Sequence, residues 1–295
     1  MRGVEAMTRF TTSTGAALSA ALLFQLSPAT AQQLVLGPAT YSAQAEAAGA
    51  GDSDYQETEA AGSVEASNLG LLGVETGSAA ALPVQYVSAA GSVAEGDMGS
   101  GLGFIGAGDS SISYSFAIID NSTATYWGLG TAQPVTVDIF ASGSATAEGQ
   151  GSGDGYFTLI QPAAISGGQV TEILNLEMCA GLGCSSGQPT SFNYAQSLNL
   201  LTNTPYEITL AANAGAANFD AAPFSGAGTA IIDPFFALDP SDPDPSGLSL
   251  IFSPGIINAP AAAAVPEPST WVLLGAGFVL LRTLTIGTRR LPRRA

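Results

Sequence analysis

Between Gln32 and Ala264 the chain holds no Lys, Arg or His, so any chemistry there belongs to carboxylates, hydroxyls, amides and two thiols. One catalytic reaction survives that inventory. It is glycoside hydrolysis by two acids, one protonating the leaving oxygen while the other attacks or activates water. Glu172 and Glu177 are candidates, but their odd offset on a predicted strand sets them on opposite faces, where they do not pair directly. Gly183-Cys184-Ser185-Ser186-Gly187 has the spacing of a serine nucleophile and lacks the His base such a serine needs. Gly101 to Gly106 matches the glycine pattern of a dinucleotide loop, yet no helix follows to hold a pyrophosphate. Gly151 to Gly155 is read as a hairpin tip. No catalytic residue is assigned, and a non-enzymatic role is expected.

Asp239, Asp242 and Asp244, in Asp-Pro-Ser-Asp-Pro-Asp-Pro, form the densest acid cluster. They are candidate calcium ligands, since calcium takes about six to eight oxygens and prolines stiffen the loop. A solvated loop is the competing reading, because no EF-hand pattern fits. Asp52 and Asp54 form a weaker second pair.

All seven cations are arginines at the two ends. Arg2 and Arg9 precede the apolar stretch Ala16 to Leu26, and Ala29-Thr30-Ala31 is a small-x-small cleavage site, so residues 1–31 read as a secretory signal. Export places Cys179 and Cys184, the only cysteines, in an oxidising compartment. A local disulfide follows, because a zinc site would lack its remaining ligands. At the far end Val265-Pro266-Glu267-Pro268 leads into the apolar run Trp271 to Leu281, followed by Arg282, Arg289, Arg290, Arg293 and Arg294. The prolines cannot continue a helix, Trp271 suits a membrane interface, and the arginines suit the cytoplasmic side. Arg282 cuts the apolar run short of the ~20 residues that span a bilayer unaided, so in a span from Ser269 to Thr288 it must snorkel towards the cytoplasmic headgroups.

These elements, in this order, resemble the PEP-CTERM sorting signal of bacterial extracellular proteins. The resemblance implies that Pro266, Glu267 and Pro268 are recognised by an exosortase, which releases the helix and tail. It also implies delivery to the cell surface or an exopolysaccharide matrix. Signal peptidase and exosortase are then partners during export, the membrane is a transient anchor, and extracellular polysaccharide is a candidate partner afterwards. The stretch Ile231 to Asn258 resembles, more loosely, the closing part of β-domains in the same family.

Twenty-two of the 24 acids, all except Glu5 and Glu267, lie between Gln32 and Ala264, which therefore carries a formal charge of −22. A surface of that sign repels phosphate backbones, which excludes nucleic-acid binding. No salt bridge between side chains is possible in this body. Each carboxylate must be hydrated, hydrogen-bonded, protonated or neutralised by an outside cation.

Such residues must be positioned by strands. Ile112, Tyr114, Phe116 and Ile118 alternate with serines, and the same two-residue period recurs at Val135 to Ile139, Leu174 to Met178, Phe192 to Leu200, Tyr206 to Leu210 and Leu248 to Phe252. Turn residues separate these runs at Asp120 to Ser122, Gly149 to Gly155, Gly181 to Pro189 and Asn203 to Pro205. An all-β antiparallel β-sandwich is expected, a jelly roll being one arrangement of it, flanked by the signal peptide and a C-terminal membrane helix. The predicted body is 32–258. Within it 32–110 is Ala/Gly/Ser-rich, with strands Tyr55 to Leu72 and Leu82 to Ala94, and packs weakly, whereas 111–258 carries sharper strands. Residues 259–264 form an Ala-rich linker, and 265–295 form the sorting signal. The rival functions are a carbohydrate-binding module built around Tyr126 and Trp127, and a two-carboxylate glycosidase.

Overall fold

The structure, a computed structural model, describes residues 34–49, 52–70, 73–94, 104–121, 131–162, 169–218 and 225–259. The alternating pattern folds as β1 (Thr40–Gly49), β2 (Asp52–Thr58), β3 (Gly62–Gly70), β4 (Gly73–Leu82), β5 (Tyr86–Ala94), β6 (Phe104–Asp120) and β7 (Pro134–Gly149). It continues as β8 (Gly151–Gln161), β9 (Thr171–Gly181), β10 (Ser191–Leu201), β11 (Pro205–Asn218), β12 (Gly226–Leu238) and β13 (Leu248–Phe252). One sheet runs β2-β1-β6-β11-β8-β9 and the other β10-β7-β12-β5-β4-β3, with every pairing antiparallel. From β5 to β12 the chain changes sheet at each connection except β8 to β9. β13 follows β1 along one edge of β6, pairing Phe116 to Asp120 where β1 pairs Ile105 to Ser113. Among the described residues no helix is long and apolar enough to cross a membrane.

The Ala/Gly/Ser-rich first part carries β1 to β5 and the start of β6. Its small residues do not loosen it. They let the two sheets approach until backbone meets backbone. A Cβ added at Gly77 would lie 2.0 Å from the Ala107 carbonyl oxygen, at Gly91 2.2 Å from that of Gly106, and at Gly228 1.8 Å from that of Ser152. At the other end the facing residues are large. Phe116 meets Phe236 of the opposite sheet with ring centroids 5.0 Å apart, and Tyr206 at 5.4 Å, over buried Ile112, Ile139, Phe157, Leu159 and Ile208. The interior is therefore thick and aromatic at one end, thin and glycine-lined at the other.

Gly151 to Gly155, read above as a hairpin tip, is instead the first half of β8, pairing with Ala212 to Ala216 of β11. The turn is Gln150 alone, and the glycine repeat is the strand period itself: Gly151, Gly153 and Gly155 face inward, with Ser152 and Asp154 on the other face.

Buried polar groups tie the chain's late residues to the core. Tyr114 Oη donates to Gln85 Oε1, and Gln85 Nε2 donates to Asn258 Oδ1 at 3.1 Å. Asn258 brackets Phe236, its Nδ2 donating to the Phe236 carbonyl at 2.8 Å and its Oδ1 accepting the Phe236 N–H at 3.1 Å. A side chain that satisfies both backbone groups of a core strand stabilises the position where that strand would otherwise bury unpaired donors. The chain divides here into two units, Met1–Asn258 and Ala259–Ala295.

Candidate functional site: an acid and amide row on the outer face of one sheet

The registers bring together residues far apart in sequence. On the outer face of the β6-centred sheet, one line crosses six strands: Glu57, Gln44, Asp109, Asn213, Asp154 and Cys179. Gln44 Nε2 donates to Glu57 Oε1 at 3.0 Å, Tyr55 Oη donates to Glu57 Oε2 at 3.0 Å, and Asn213 Nδ2 donates to Asp154 Oδ2 at 3.1 Å. Neighbouring positions include the small Ala107, Ser111, Ala211 and Gly215, with Tyr55 and Tyr156 as bulky neighbours. Burial pushes the Asp109 carboxyl up, and the Asp154 charge adds to it; burial likewise raises Asp154 against the Asn213 hydrogen bond. Burial raises the Tyr156 hydroxyl too, with both aspartates contributing. Such a surface offers hydrogen-bond acceptors and amides to hydroxyl-rich partners and repels anions.

Asp109 and Asp154 straddle β11 on the outer face of the sheet, their backbones two strand spacings or about 10 Å apart.

Glu172 and Glu177 depart from the expected opposite faces. A register shift opposite Leu159 and Ile160 leaves Ile173 as an extra residue, so Glu172 aligns with Ile160 and Glu177 with Tyr156, both outward positions of β8. A bulge reverses the alternation that an offset of five would otherwise impose. The two acids still do not pair directly, because four strand positions separate them by roughly 13 Å.

Cys179 and Cys184 form the expected disulfide, with Cα atoms 5.6 Å apart. It ties the end of β9 to the Gly181 to Pro189 loop, at the edge of the acid and amide row. The Asp239, Asp242 and Asp244 carboxylates each serve backbone. Asp239 Oδ1 accepts from Ser241 N–H at 2.8 Å, Asp242 Oδ2 from Thr136 N–H of β7 at 3.2 Å, and Asp244 Oδ1 from Gly247 N–H at 3.2 Å. Asp242 and Asp244 line, with Asp120, Pro134, Val135 and Leu248, a cavity of about 160 Å³. Among the described residues no three His, Cys, Asp or Glu side chains form a group able to hold a metal ion. Ala29, Ala31, Tyr126, Trp127, Pro266, Glu267 and Pro268 lie outside the described residues.

Glu75 is a functional-type group that sequence reasoning passed over. It is fully buried on the inner face of β4, at the glycine-lined end, and neither carboxylate oxygen has a hydrogen-bond partner. Burial pushes its pKa up. The signal was its place in the period: it falls in step with Gly77, Ala79 and Ala81, which all face inward.

No family model, no curated protein and no solved structure matches this chain.

Proposed function

We propose that this is an exported, exosortase-sorted, non-enzymatic protein of the cell surface or extracellular matrix, with a structural or adhesive role. The observation that carries the reading is the distribution of cations: none between Gln32 and Ala264, and seven arginines beside the two apolar ends, five of them behind Pro266-Glu267-Pro268. Such an arrangement suits a cargo whose ends alone converse with a membrane. The fold we assign to that cargo is a jelly-roll β-sandwich. Supporting it are the strand orders β5-β12-β7-β10 and β6-β11-β8-β9, the order of an eight-stranded jelly roll, extended on one edge by β4-β3 and on the other by β1-β2.

The partner class we assign is a hydroxyl-rich polymer such as an extracellular polysaccharide, meeting the row from Glu57 to Asp154, flanked by Tyr55 and Tyr156. Mass spectrometry of the protein released by its producer tests the central claim. The expected N-terminus is at or near Gln32, with no peptide beyond the Pro-Glu-Pro region. An intact arginine tail on the extracellular protein would refute the sorting reading.

A further inference from the structure

Five strands have one partner each among the described residues, and four of them carry the usual protection against pairing with another chain, β13 by being only five residues long. β2 bears Asp52, Asp54 and Glu57, β3 bears Glu65, and β9 bears Glu172 and Glu177 together with its bulge. Charges and bulges are the ordinary means of blunting an edge. β10 has neither: its eleven residues, Ser-Phe-Asn-Tyr-Ala-Gln-Ser-Leu-Asn-Leu-Leu, include no charge and no proline, and β7 is its one partner among the described residues. Asn193, Ala195, Gln196, Ser197 and Asn199 are exposed, and Phe192, Tyr194 and Leu198 remain half-buried.

We infer that the free edge of β10 is a self-association site, joining two copies of this chain through antiparallel pairing of β10 with β10 about a two-fold axis at Gln196. Two observations select a second copy as the occupant. The first is the sequence of the strand, which is nearly palindromic in character. Folding it back on itself about Gln196 sets Asn193 against Asn199, Tyr194 against Leu198, Phe192 against Leu200 and Ala195 against Ser197. Amide meets amide on one face and aromatic meets aliphatic on the other, the cross-strand pairs that stabilise a ladder. A self-complementary patch is what a two-fold interface requires.

The second is charge. Two bodies of formal charge −22 repel one another wherever acids line the approach, and β10 is the one long edge among the described strands without them. The nearest acid on the neighbouring strand, Asp138, already accepts a hydrogen bond from Ser197 Oγ at 2.6 Å. Joined this way, the β7-side sheets of two copies become one continuous sheet, and β10, which has β7 as its one strand partner among the described residues, gains a second.

The test uses the protein as its producer yields it, by analytical ultracentrifugation over about 1 to 100 μM. The expected result is a dimer in this range. At the two-fold axis residue 196 faces itself, so Gln196→Glu and Gln196→Lys should each shift the dimer towards monomer by at least tenfold in dissociation constant, with unchanged circular dichroism. Mixed in equal amounts the two variants should pair with each other and restore the dimer, since opposite charges then meet. Glu177→Gln, on the β9 edge, should leave association unchanged. A monomer at 100 μM, a dimer indifferent to both substitutions, or a mixture that stays monomeric would overturn the proposal. Loss of dimer with only one sign of charge would point to a heterologous partner and would overturn it equally.

Discussion

Glu75 shows what an acid does in a body without cations. Its carboxyl is fully buried with no partner, and leaving a polar group so placed costs about 1–3 kcal/mol. The raised pKa sets the sign: the folded state binds this proton more tightly than the unfolded chain, so stability is greatest at low pH and falls as pH rises through the ordinary carboxyl range towards the raised value. Glu75→Gln keeps size and shape but cannot ionise. It is expected to match the parent at about pH 4 and to melt higher at pH 7. Denaturation followed at both values checks this, and a variant that lost stability at pH 7 would mean the carboxylate has a stabilising partner. Cys179, by contrast, was placed correctly from composition and address alone, because two cysteines allow one pairing.

At the scale of elements, glycine periodicity sets how closely the sheets approach. Gly228 of β12 lies against Ser152 of β8, and a Cβ added there would sit 1.8 Å from the Ser152 carbonyl oxygen, which leaves no room for even one methyl. Gly228→Ala should cost about 3 kcal/mol or more, at the top of the overpacking range, because the obstacle is backbone and cannot swing aside. Gly183→Ala, where nothing lies within 4 Å of the added Cβ, provides the contrast: its cost comes from a left-handed φ of 89° alone and should be smaller. Urea titration of both variants measures the difference. The disulfide acts at the same scale. Removing it with Cys179→Ser and Cys184→Ser is expected to cost about 2 kcal/mol, since the loop it closes is short, while the sheets persist. Strands β6, β7, β9, β10, β11 and β13 were legible because bulky residues mark their faces. β1, β4 and the first half of β8 were not, since Ala and Gly alternating with small or polar residues give little contrast in hydropathy; their inward faces exist only because another backbone lies against them.

For the whole molecule, the desolvated carboxyls act together. Among the described residues burial raises Glu75, Asp109, Asp154, Glu207 and Asp233, whereas hydrogen bonds hold Asp54 and Asp239 below the usual range. Ionising the first group destabilises the fold, and self-repulsion of a −22 body adds to it. The melting temperature should therefore rise as pH falls from 8 towards about 5, opposite to ordinary acid denaturation, and turn down only where Asp54 and Asp239 protonate below their usual range. Calorimetry from pH 8 to 3 at fixed ionic strength tests it. A maximum at neutral pH would show that outside cations already neutralise these acids.

The sequence by itself determined the strand period over much of the body, the absence of cations from it and the one possible disulfide, because these depend on residue type and local spacing. It could not give the row from Glu57 to Asp154, the common face of Glu172 and Glu177, or the burial of Glu75. Those depend on register, on a single-residue bulge and on the distance between sheets, none of which is encoded in any one segment. They are fixed only when backbones from opposite sheets close upon each other, since a shift of one residue turns every side chain of a strand to its other face.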